Sequence, residues 1–279
     1  MTLGSAILLG FIQGVAEFLP ISSSGHLSVL QNIFHIQTAE NGHMFFDVLL
    51  HLGTLFAVIA AYWSDVKSIV SDTLGFIHSF RLPEYPNSKP RRYPGARLLL
   101  MMFFATLPLI VVLPINDLVE SLYYKTWFIG IAFIITGCIL YVSDRMPKGR
   151  KNSRTMTVLD AVIIGICQCV ATIPGISRSG TTLTAGVSRG LDRDFAMKFS
   201  LLLSIPAVLG ANILSLFKSL STLNTAYIGE YLAGMLTAAV SGYFSIILLR
   251  MLIRSGKYGR FSLYMWCMGV FTLIASLFT

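Results

Sequence analysis

Six apolar runs constrain the fold of this chain more than any other feature. They cover residues 44–63, 98–115, 128–143 (extendable to 124), 199–217, 228–249 and 261–279. A helix needs about 20 mostly apolar residues to cross the hydrocarbon core of a bilayer. Only 12% of the residues are charged, whereas soluble domains average about 25%. The runs therefore predict an all-α polytopic membrane protein, with six transmembrane helices in one membrane domain spanning residues 1–279.

The basic residues lie in short loops between the apolar runs. The loops 64–97, 144–154 and 250–260 carry six, five and four Lys or Arg residues, whereas the loops 116–127 and 218–227 carry one each. Cytoplasmic loops of membrane proteins are enriched in Lys and Arg. The net charge of +8 therefore indicates topology and not a nucleic-acid partner. Both termini are predicted on the non-cytoplasmic side of a multi-pass protein surrounded by membrane lipids.

Two further apolar stretches are too short or too polar to be spans. Residues 4–19 end at Pro20 and a serine-rich run, and residues 159–173 end at Pro174 and another such run. Broken helices occur at membrane depth where they are buried in protein or line a wet cavity. We predict two re-entrant helix–loop–helix hairpins, at 4–34 and 159–190.

The two hairpins contain an internal repeat. QGVAEFLPISSSGH, residues 13–26, aligns without gaps with QCVATIPGISRSGT, residues 168–181, at an offset of 155 and with seven identities. The chain thus divides into repeat one, 1–143 with spans 44–63, 98–115 and 124–143, and repeat two, 155–279 with spans 199–217, 228–249 and 261–279. The span 44–63 ends at a basic loop, whereas 199–217 begins on that side. The repeats are predicted to have inverted topology, with their tips meeting near the membrane midplane.

The first tip carries an acid, hydroxyl groups and an imidazole. Gln13 and Glu17 are four residues apart and share a helix face. The loop Ser22, Ser23, Ser24 and Gly25 then leads into a helix near His26. Free N–H groups at helix starts bind anions, so the loop is a candidate phosphate site, although a serine-rich loop by itself more often only caps a helix. Ionisable residues within membrane segments are functional by default, and Glu17 and His26 are candidates for base, nucleophile or metal ligand.

The second tip adds a cation to more hydroxyl groups. Ser177, Arg178, Ser179 and Thr182 precede or open a helix, and a guanidinium matches the geometry of phosphate oxygens. Three supporting residues have two interpretations of equal weight. Asp47 and His51, four apart at the head of a span, belong either to the site or to the fold. Gln168, like Gln13, either serves the site or bonds backbone groups freed by the break. The combination suits phosphoryl transfer.

The two motifs together resemble the undecaprenyl-diphosphatase family, also called bacitracin-resistance proteins. The family's (Glu/Gln)-x-x-x-Glu motif followed by serines and His corresponds to residues 13–26, with Gln at position 13, and its Pro-Gly-x-Ser-Arg-Ser-x-x-Thr motif corresponds to residues 174–182. The resemblance implies hydrolysis of undecaprenyl diphosphate to undecaprenyl phosphate and phosphate, which recycles the cell-wall lipid carrier and confers bacitracin resistance. It also implies a divalent cation, Mg²⁺ or Ca²⁺, with Glu17 as a candidate ligand, and a bacterial inner-membrane site that opens to the non-cytoplasmic side. Family accounts place Glu17, Ser23, His26, Arg178 and Thr182 in or beside the site.

Two other functions fit parts of the pattern. Inverted repeats with broken helices also suit a lipid transporter or flippase. A type 2 phosphatidic-acid phosphatase would share the Ser-Gly-His element, but it needs a His six residues after the Arg, where this chain has Thr184. The sequence leaves open whether a side chain or water attacks phosphorus, whether the product lipid is also flipped, and whether the protein forms a homodimer.

Overall fold

The computed structural model describes residues 1–34, 43–79, 93–219, 225–256 and 258–278. Every regular element in these ranges is helical, apart from a single-residue parallel bridge between Lys151 and Leu191. Twelve α-helices are described: α1 Leu3–Phe18, α2 Ser23–Phe34, α3 His43–Ala61, α4 Trp63–Ser79, α5 Pro94–Thr106, α6 Asn116–Leu122, α7 Thr126–Arg145, α8 Val158–Val170, α9 Arg178–Ser188, α10 Arg193–Ser219, α11 Ile228–Arg254 and α12 Arg260–Ala275. Short 3₁₀ helices occupy Leu107–Ile115 and Thr225–Tyr227.

The helix lengths agree with a polytopic membrane protein. Among the described residues, four helical segments are long and apolar enough to cross a membrane: Pro94–Leu122, Thr126–Arg145, Arg193–Ile213 and Thr225–Arg254. A fifth results if α3 and α4 count as one broken span. The last predicted span, 261–279, contains a helix of only 16 residues, about 24 Å at 1.5 Å per residue. The all-α membrane class is confirmed at this level.

The structure corrects the sequence prediction after the first span. The region 64–97 was expected to be a loop, but it begins with α4, which bends by 83° from α3. Its exposed apolar residues include Trp63, Val70 and Leu74, between polar residues that kept this segment below the hydropathy of a span. A helix with this mixture is amphipathic, which a search for continuous apolar runs does not detect. The basic positions 81, 89, 91, 92 and 257 lie outside the described residues.

The second predicted span, 98–115, is longer and less regular than expected. It continues through the 3₁₀ segment into α6, so that residues 116–122 of the expected loop 116–127 are helical. Pro108 and Pro114 lie within the 3₁₀ segment. Proline lacks an N–H and clashes with the carbonyl four residues earlier, which explains why α-helical geometry is interrupted there.

Equivalent positions of the repeat cap the first helix of each hairpin. Thr2 precedes α1 and forms a capping box with Ser5, and Thr157 precedes α8 and forms one with Asp160. These pairs keep the offset of 155, beyond the segment that the sequence alignment covers. A side-chain cap contributes about 1 kcal/mol to helix stability, so both hairpins start at a fixed residue.

The first helix of each hairpin packs against a helix of the other half. Helix α1 lies against α11, and α8 lies against α5 and the 3₁₀ segment that follows it. A Cβ atom at Gly10 would clash with the carbonyl oxygen of Gly234, and one at Gly165 would clash with that of Ala105. Glycine is needed at both positions because the backbones approach so closely. The helices α7 and α12 pack together, as do α3 and α10.

Candidate active site

The two hairpin tips meet inside the helical bundle. The Ser179 hydroxyl of α9 donates to the backbone carbonyl of Leu19, between α1 and α2, at 3.3 Å. A Cβ atom at Gly25 would lie 2.9 Å from the Cα atom of Gly175 and would clash with the Phe133 ring. The predicted meeting of the tips is therefore seen in the described residues, and glycine makes it sterically possible.

The turn of the first tip places Ser23 at the start of α2. Ser22 adopts φ 68° and is the one described residue other than glycine with positive φ. Such a conformation is uncommon for residues with a Cβ atom and is found preferentially at functional sites. Ser23 follows as the first residue of α2, where the positive end of the helix dipole favours an anion.

Glu17 is the centre of the hydrogen-bond network at the tips. Its Oε2 atom accepts from the Ser23 hydroxyl at 2.6 Å, and its Oε1 atom forms an ion pair with Nη2 of Arg178. The carboxylate is 8% exposed, and burying a charge is costly unless it is paired and hydrogen-bonded. One side chain thus joins a hydroxyl group of the first tip to the guanidinium of the second.

Ser23 and Arg178 occupy equivalent positions of the repeat. Their numbers differ by the offset of 155, and each is the first residue of the second helix of its hairpin. The Arg178 side chain retains 20% exposure. Equivalent positions of the repeat therefore place a hydroxyl group and a cation on the two oxygens of the same carboxylate.

Gln13 and His51 complete the network around Glu17. The Gln13 amide donates to Glu17 Oε2 at 3.1 Å and to His51 Nδ1 at 3.0 Å. Because an amide N–H₂ only donates, Nδ1 of His51 accepts and carries no proton. His51 Nδ1 lies 3.9 Å from Glu17 Oε2. Both residues therefore contact the Glu17 network, and a role for them in the site stays a prediction.

His26 lies apart from this network. In the described structure no hydrogen bond joins it to Glu17, Ser23 or Arg178. Its Nδ1 atom is 2.8 Å from the Ser22 carbonyl oxygen, and its Nε2 atom is 2.7 Å from the Tyr264 hydroxyl. Of the four residues expected to be catalytic, Glu17, Ser23 and Arg178 are thus connected. His26 instead contacts the backbone of the turn at Ser22.

The hydroxyl groups of the second tip mostly bond the protein itself. Ser177 accepts from the Gly180 N–H at 3.1 Å and caps α9. Thr182 donates to the Arg178 carbonyl at 2.8 Å and contacts the Ser200 hydroxyl at 2.6 Å. Ser177, Ser179 and Thr182 are buried. Phosphate binding by their hydroxyl groups stays a prediction, while their contacts hold Arg178 in place.

Gln168 and Asp47, unlike Gln13 and His51, have contacts outside the hydrogen-bond network around Glu17. The Gln168 amide donates to the Ala105 carbonyl at 3.3 Å, on the neighbouring helix α5. It therefore joins α8 to the backbone of another helix, unlike its repeat counterpart Gln13. Asp47 lies one turn before His51 on α3, and it is near enough to the Tyr123 phenol to oppose ionisation of that group.

Four residues near the tips escaped the sequence prediction. The Thr136 hydroxyl donates to the Gly175 carbonyl at 2.9 Å, and it accepts from the Ser177 N–H at 3.1 Å. Burial raises the pKa of the Tyr123 phenol to about 12, although a hydrogen bond with Ser24 lowers it. The Ser200 hydroxyl contacts that of Thr182, and the Tyr264 hydroxyl contacts His26. All four are single polar residues outside the repeated motif, so the alignment of the hairpins gave no signal for them.

The protein ligands around Glu17 do not fit a resident divalent cation. No group of three or more His, Cys, Asp or Glu side chains suitable for a metal occurs in the described part of the chain. Both Glu17 oxygens are engaged by Arg178, Ser23 and Gln13. The Oε1 atom of Gln13 is the one buried oxygen beside them without a hydrogen-bond partner. Mg²⁺ and Ca²⁺ need six or more oxygen ligands, most of which would come from elsewhere.

Comparison with known proteins relates the whole chain to one family. The family model described as bacitracin resistance protein BacA matches residues 6–271. A curated undecaprenyl-diphosphatase of Methanosphaera stadtmanae is 38% identical over 277 residues, covering 98% of this chain and 97% of the relative. Those of Carboxydothermus hydrogenoformans and Treponema denticola are 39% and 38% identical over 274 and 271 residues, covering 96% and 97% of this chain and 95% and 96% of the relatives.

Proposed function

The chain belongs to the bacitracin resistance protein BacA family, and from this we propose that it hydrolyses undecaprenyl diphosphate to undecaprenyl phosphate and inorganic phosphate. Such an integral membrane phosphatase recycles the lipid carrier of cell-wall synthesis and confers bacitracin resistance. The observation that carries the proposal is Glu17, which binds the Ser23 hydroxyl and the Arg178 guanidinium at once. The carboxylate near the end of α1 supplies a base, and the hydroxyl group and the cation, each at the start of a helix, supply a nucleophile and anion binding.

The resting site is an ion pair that the substrate opens. Arg178 neutralises Glu17 while the site is empty of phosphate. A terminal phosphate carries more negative charge than a carboxylate and matches the guanidinium fork, so it displaces Glu17 from Arg178. The released carboxylate keeps its 2.6 Å contact with Ser23 and gains basicity as the cation turns to the substrate.

Ser23 then attacks the terminal phosphorus. The Ser23 proton passes to Glu17 as the Oγ–P bond forms, and the bond to the bridging oxygen breaks with undecaprenyl phosphate as the leaving group. Arg178 and the α2 and α9 N-termini stabilise the charge on the phosphoryl oxygens. Water next attacks the phosphoserine, Glu17 returns the proton to Ser23, and inorganic phosphate leaves.

A divalent cation enters this proposal with the substrate. Mg²⁺ or Ca²⁺ binds well to adjacent phosphate oxygens, and Mg²⁺ in particular is held by few carboxylates together with substrate phosphates. The site without substrate supports this assignment because its carboxylate, Glu17, is paired with Arg178. Gln13 Oε1, which has no hydrogen-bond partner in the described structure, would be a protein ligand for such an ion.

The membrane arrangement is proposed from the repeat. We place two inverted repeats, 1–143 and 155–279, in the cytoplasmic membrane, each with one re-entrant hairpin and three spans. The exchanged packing of α1 on α11 and of α8 on α5 supports a two-fold relation between the halves, as do the equivalent caps at Thr2 and Thr157. The positive loops place both termini and the opening of the site on the non-cytoplasmic side.

Phosphate release by the purified protein tests the function. Full-length protein in detergent is given undecaprenyl diphosphate with Mg²⁺, with Ca²⁺ or with EDTA, beside Glu17→Gln. Release of one phosphate per lipid, lost in the variant and reduced by EDTA, is expected. Folded wild-type protein that binds the lipid and releases no phosphate under any condition would contradict hydrolysis and favour lipid transport.

A further inference from the structure

The imidazole of His26 is held by two contacts of opposite kind. A backbone carbonyl can only accept, so the 2.8 Å contact with Ser22 places a proton on Nδ1. Nε2 is then the nitrogen with a free lone pair in the neutral ring. The Tyr264 hydroxyl lies 2.7 Å from Nε2, and in the described structure it has no other acceptor for its proton.

Tyr264 belongs to α12, far from the tips in sequence, and no part of the repeated motif predicts it. Its ring is nearly parallel to that of His26, with an interplanar angle of 5° and centroids 5.7 Å apart. Phe133 of α7 packs on the imidazole from another side, with centroids 5.0 Å apart. The ring is thus confined by three elements, and its hydrogen bonds fix which way each nitrogen points.

We infer that Tyr264 is a positioning residue for His26, holding the imidazole in the Nδ1–H tautomer with Nε2 directed to the phenol. This rests on the proposed phosphatase function and deepens it. Partners that orient a functional imidazole change activity by roughly 10- to 100-fold when removed. Of the groups that contact the ring in the described part of the chain, namely Tyr264, Phe133 and the backbone of the first tip, only Tyr264 is titratable.

Within the first tip, Glu17 and His26 contact different residues of the turn. Glu17 serves Ser23 directly through the 2.6 Å hydrogen bond. His26 bonds the carbonyl of Ser22, the residue whose strained turn places Ser23. Tyr264 therefore supports, from the Nε2 side, the ring orientation and proton position that the Ser22 carbonyl sets from the Nδ1 side.

The first experiment compares full-length Tyr264→Phe with wild type in phosphate release across pH. We expect kcat to fall roughly 10-fold with KM within about two-fold. The limb of the pH profile governed by His26 moves to higher pH by roughly half a unit to one unit, because a hydrogen bond donated to Nε2 stabilises the neutral imidazole. Tyr243→Phe, an exposed tyrosine of α11, is the matched control and is expected to match wild type.

Two further measurements separate positioning from mere packing. In a His26→Ala background, Tyr264→Phe is expected to cause no additional loss, since both act through one imidazole; a full additional loss would overturn the inference. The ¹⁵N NMR shift of His26 Nε2, assigned with His26→Ala, is expected to change in Tyr264→Phe. An unchanged shift and pH profile would also overturn it. The NMR readout does not depend on turnover, so absent phosphate release in wild type would contradict the proposed function alone.

Discussion

The two hairpin tips start from similar sequences and end with different tasks. At the first tip, Glu17 and Ser23 face each other, with Gln13 and His51 around the carboxylate. At the second tip, the hydroxyl groups mostly bond backbone, and one side chain, Arg178, reaches across to Glu17. The first tip thus holds the proposed base and nucleophile, and the second holds Arg178 in a helix start fixed by local hydrogen bonds.

The glutamine pair shows how far this divergence goes. Gln13 and Gln168 are equivalent in the repeat, both are buried, and each has an Oε1 atom without a partner in the described structure. Yet Gln13 donates to Glu17, whereas Gln168 donates to the Ala105 carbonyl. Position 17 of the first tip corresponds to Thr172 in the second, so no acid stands beside Gln168. The same residue therefore acquires its role from a neighbour one helical turn away.

The largest effect is expected from removing the acid. Glu17→Gln should lower turnover by about 10³-fold, because it removes the base and leaves Arg178 without its partner. Thr172→Val at the equivalent position of the second tip should leave kcat nearly unchanged, since the Thr172 hydroxyl bonds the Cys169 carbonyl locally. Initial rates of phosphate release measure both. Equal losses in the two variants would break the distinction between the tips.

Removing the cation of the second tip should cost almost as much. Arg178→Ala is expected to lower turnover by at least about 10²-fold, the scale for one preorganised charge donor. Arg178→Lys retains the charge without the fork and should fall between the variant and wild type. Near-normal turnover of a folded alanine variant would remove Arg178 from the mechanism.

Substitution of the two equivalent glutamines should change kcat less, and differently at the two tips. Gln13→Ala should lower kcat roughly 10-fold, because Glu17 and His51 lose the amide that orients them. Gln168→Ala should leave kcat unchanged and reduce thermal stability by about 1 kcal/mol, the value of one hydrogen bond. Steady-state kinetics and thermal unfolding in detergent are measured for both variants, to test whether Gln13 affects kcat and Gln168 affects stability. A kinetic defect confined to Gln168→Ala would reverse our assignment.

The smallest effect concerns the helix caps at the start of each hairpin. Burial opposes ionisation of Asp160, but hydrogen bonds from Lys151, Thr157 and Arg189 lower its pKa to about 2. A carboxyl group with a lowered pKa in the folded state contributes stability at pH values above its unfolded pKa, near 4. That stability is lost as the pH falls toward 2. Asp160→Asn should therefore lower the melting temperature at pH 7, and the difference from wild type should shrink below pH 4. Ser5→Ala, in the uncharged cap of α1, should show a difference that does not depend on pH in this range.

The sequence predicted the parts of the structure that obey local rules. Apolar runs gave the long helices, and the repeat gave both tips with Glu17, Ser23 and Arg178. It missed α4, because amphipathic helices lack continuous apolar runs, and it ended the second span too early, because the apolar run stops before Asn116 although helix continues to Leu122. Tyr264 and Thr136 were beyond prediction, since their roles depend on contacts between helices that no local pattern encodes.

A double-mutant cycle across the tips tests the central claim most directly. Phosphate release is measured for wild type, Glu17→Gln, Arg178→Ala and the double variant. If the tips form one catalytic unit, the double variant is no slower than the more damaged single variant, because residues acting together are strongly non-additive. If the two losses multiply, Glu17 and Arg178 act independently, and the account of a single site joined by their ion pair is contradicted.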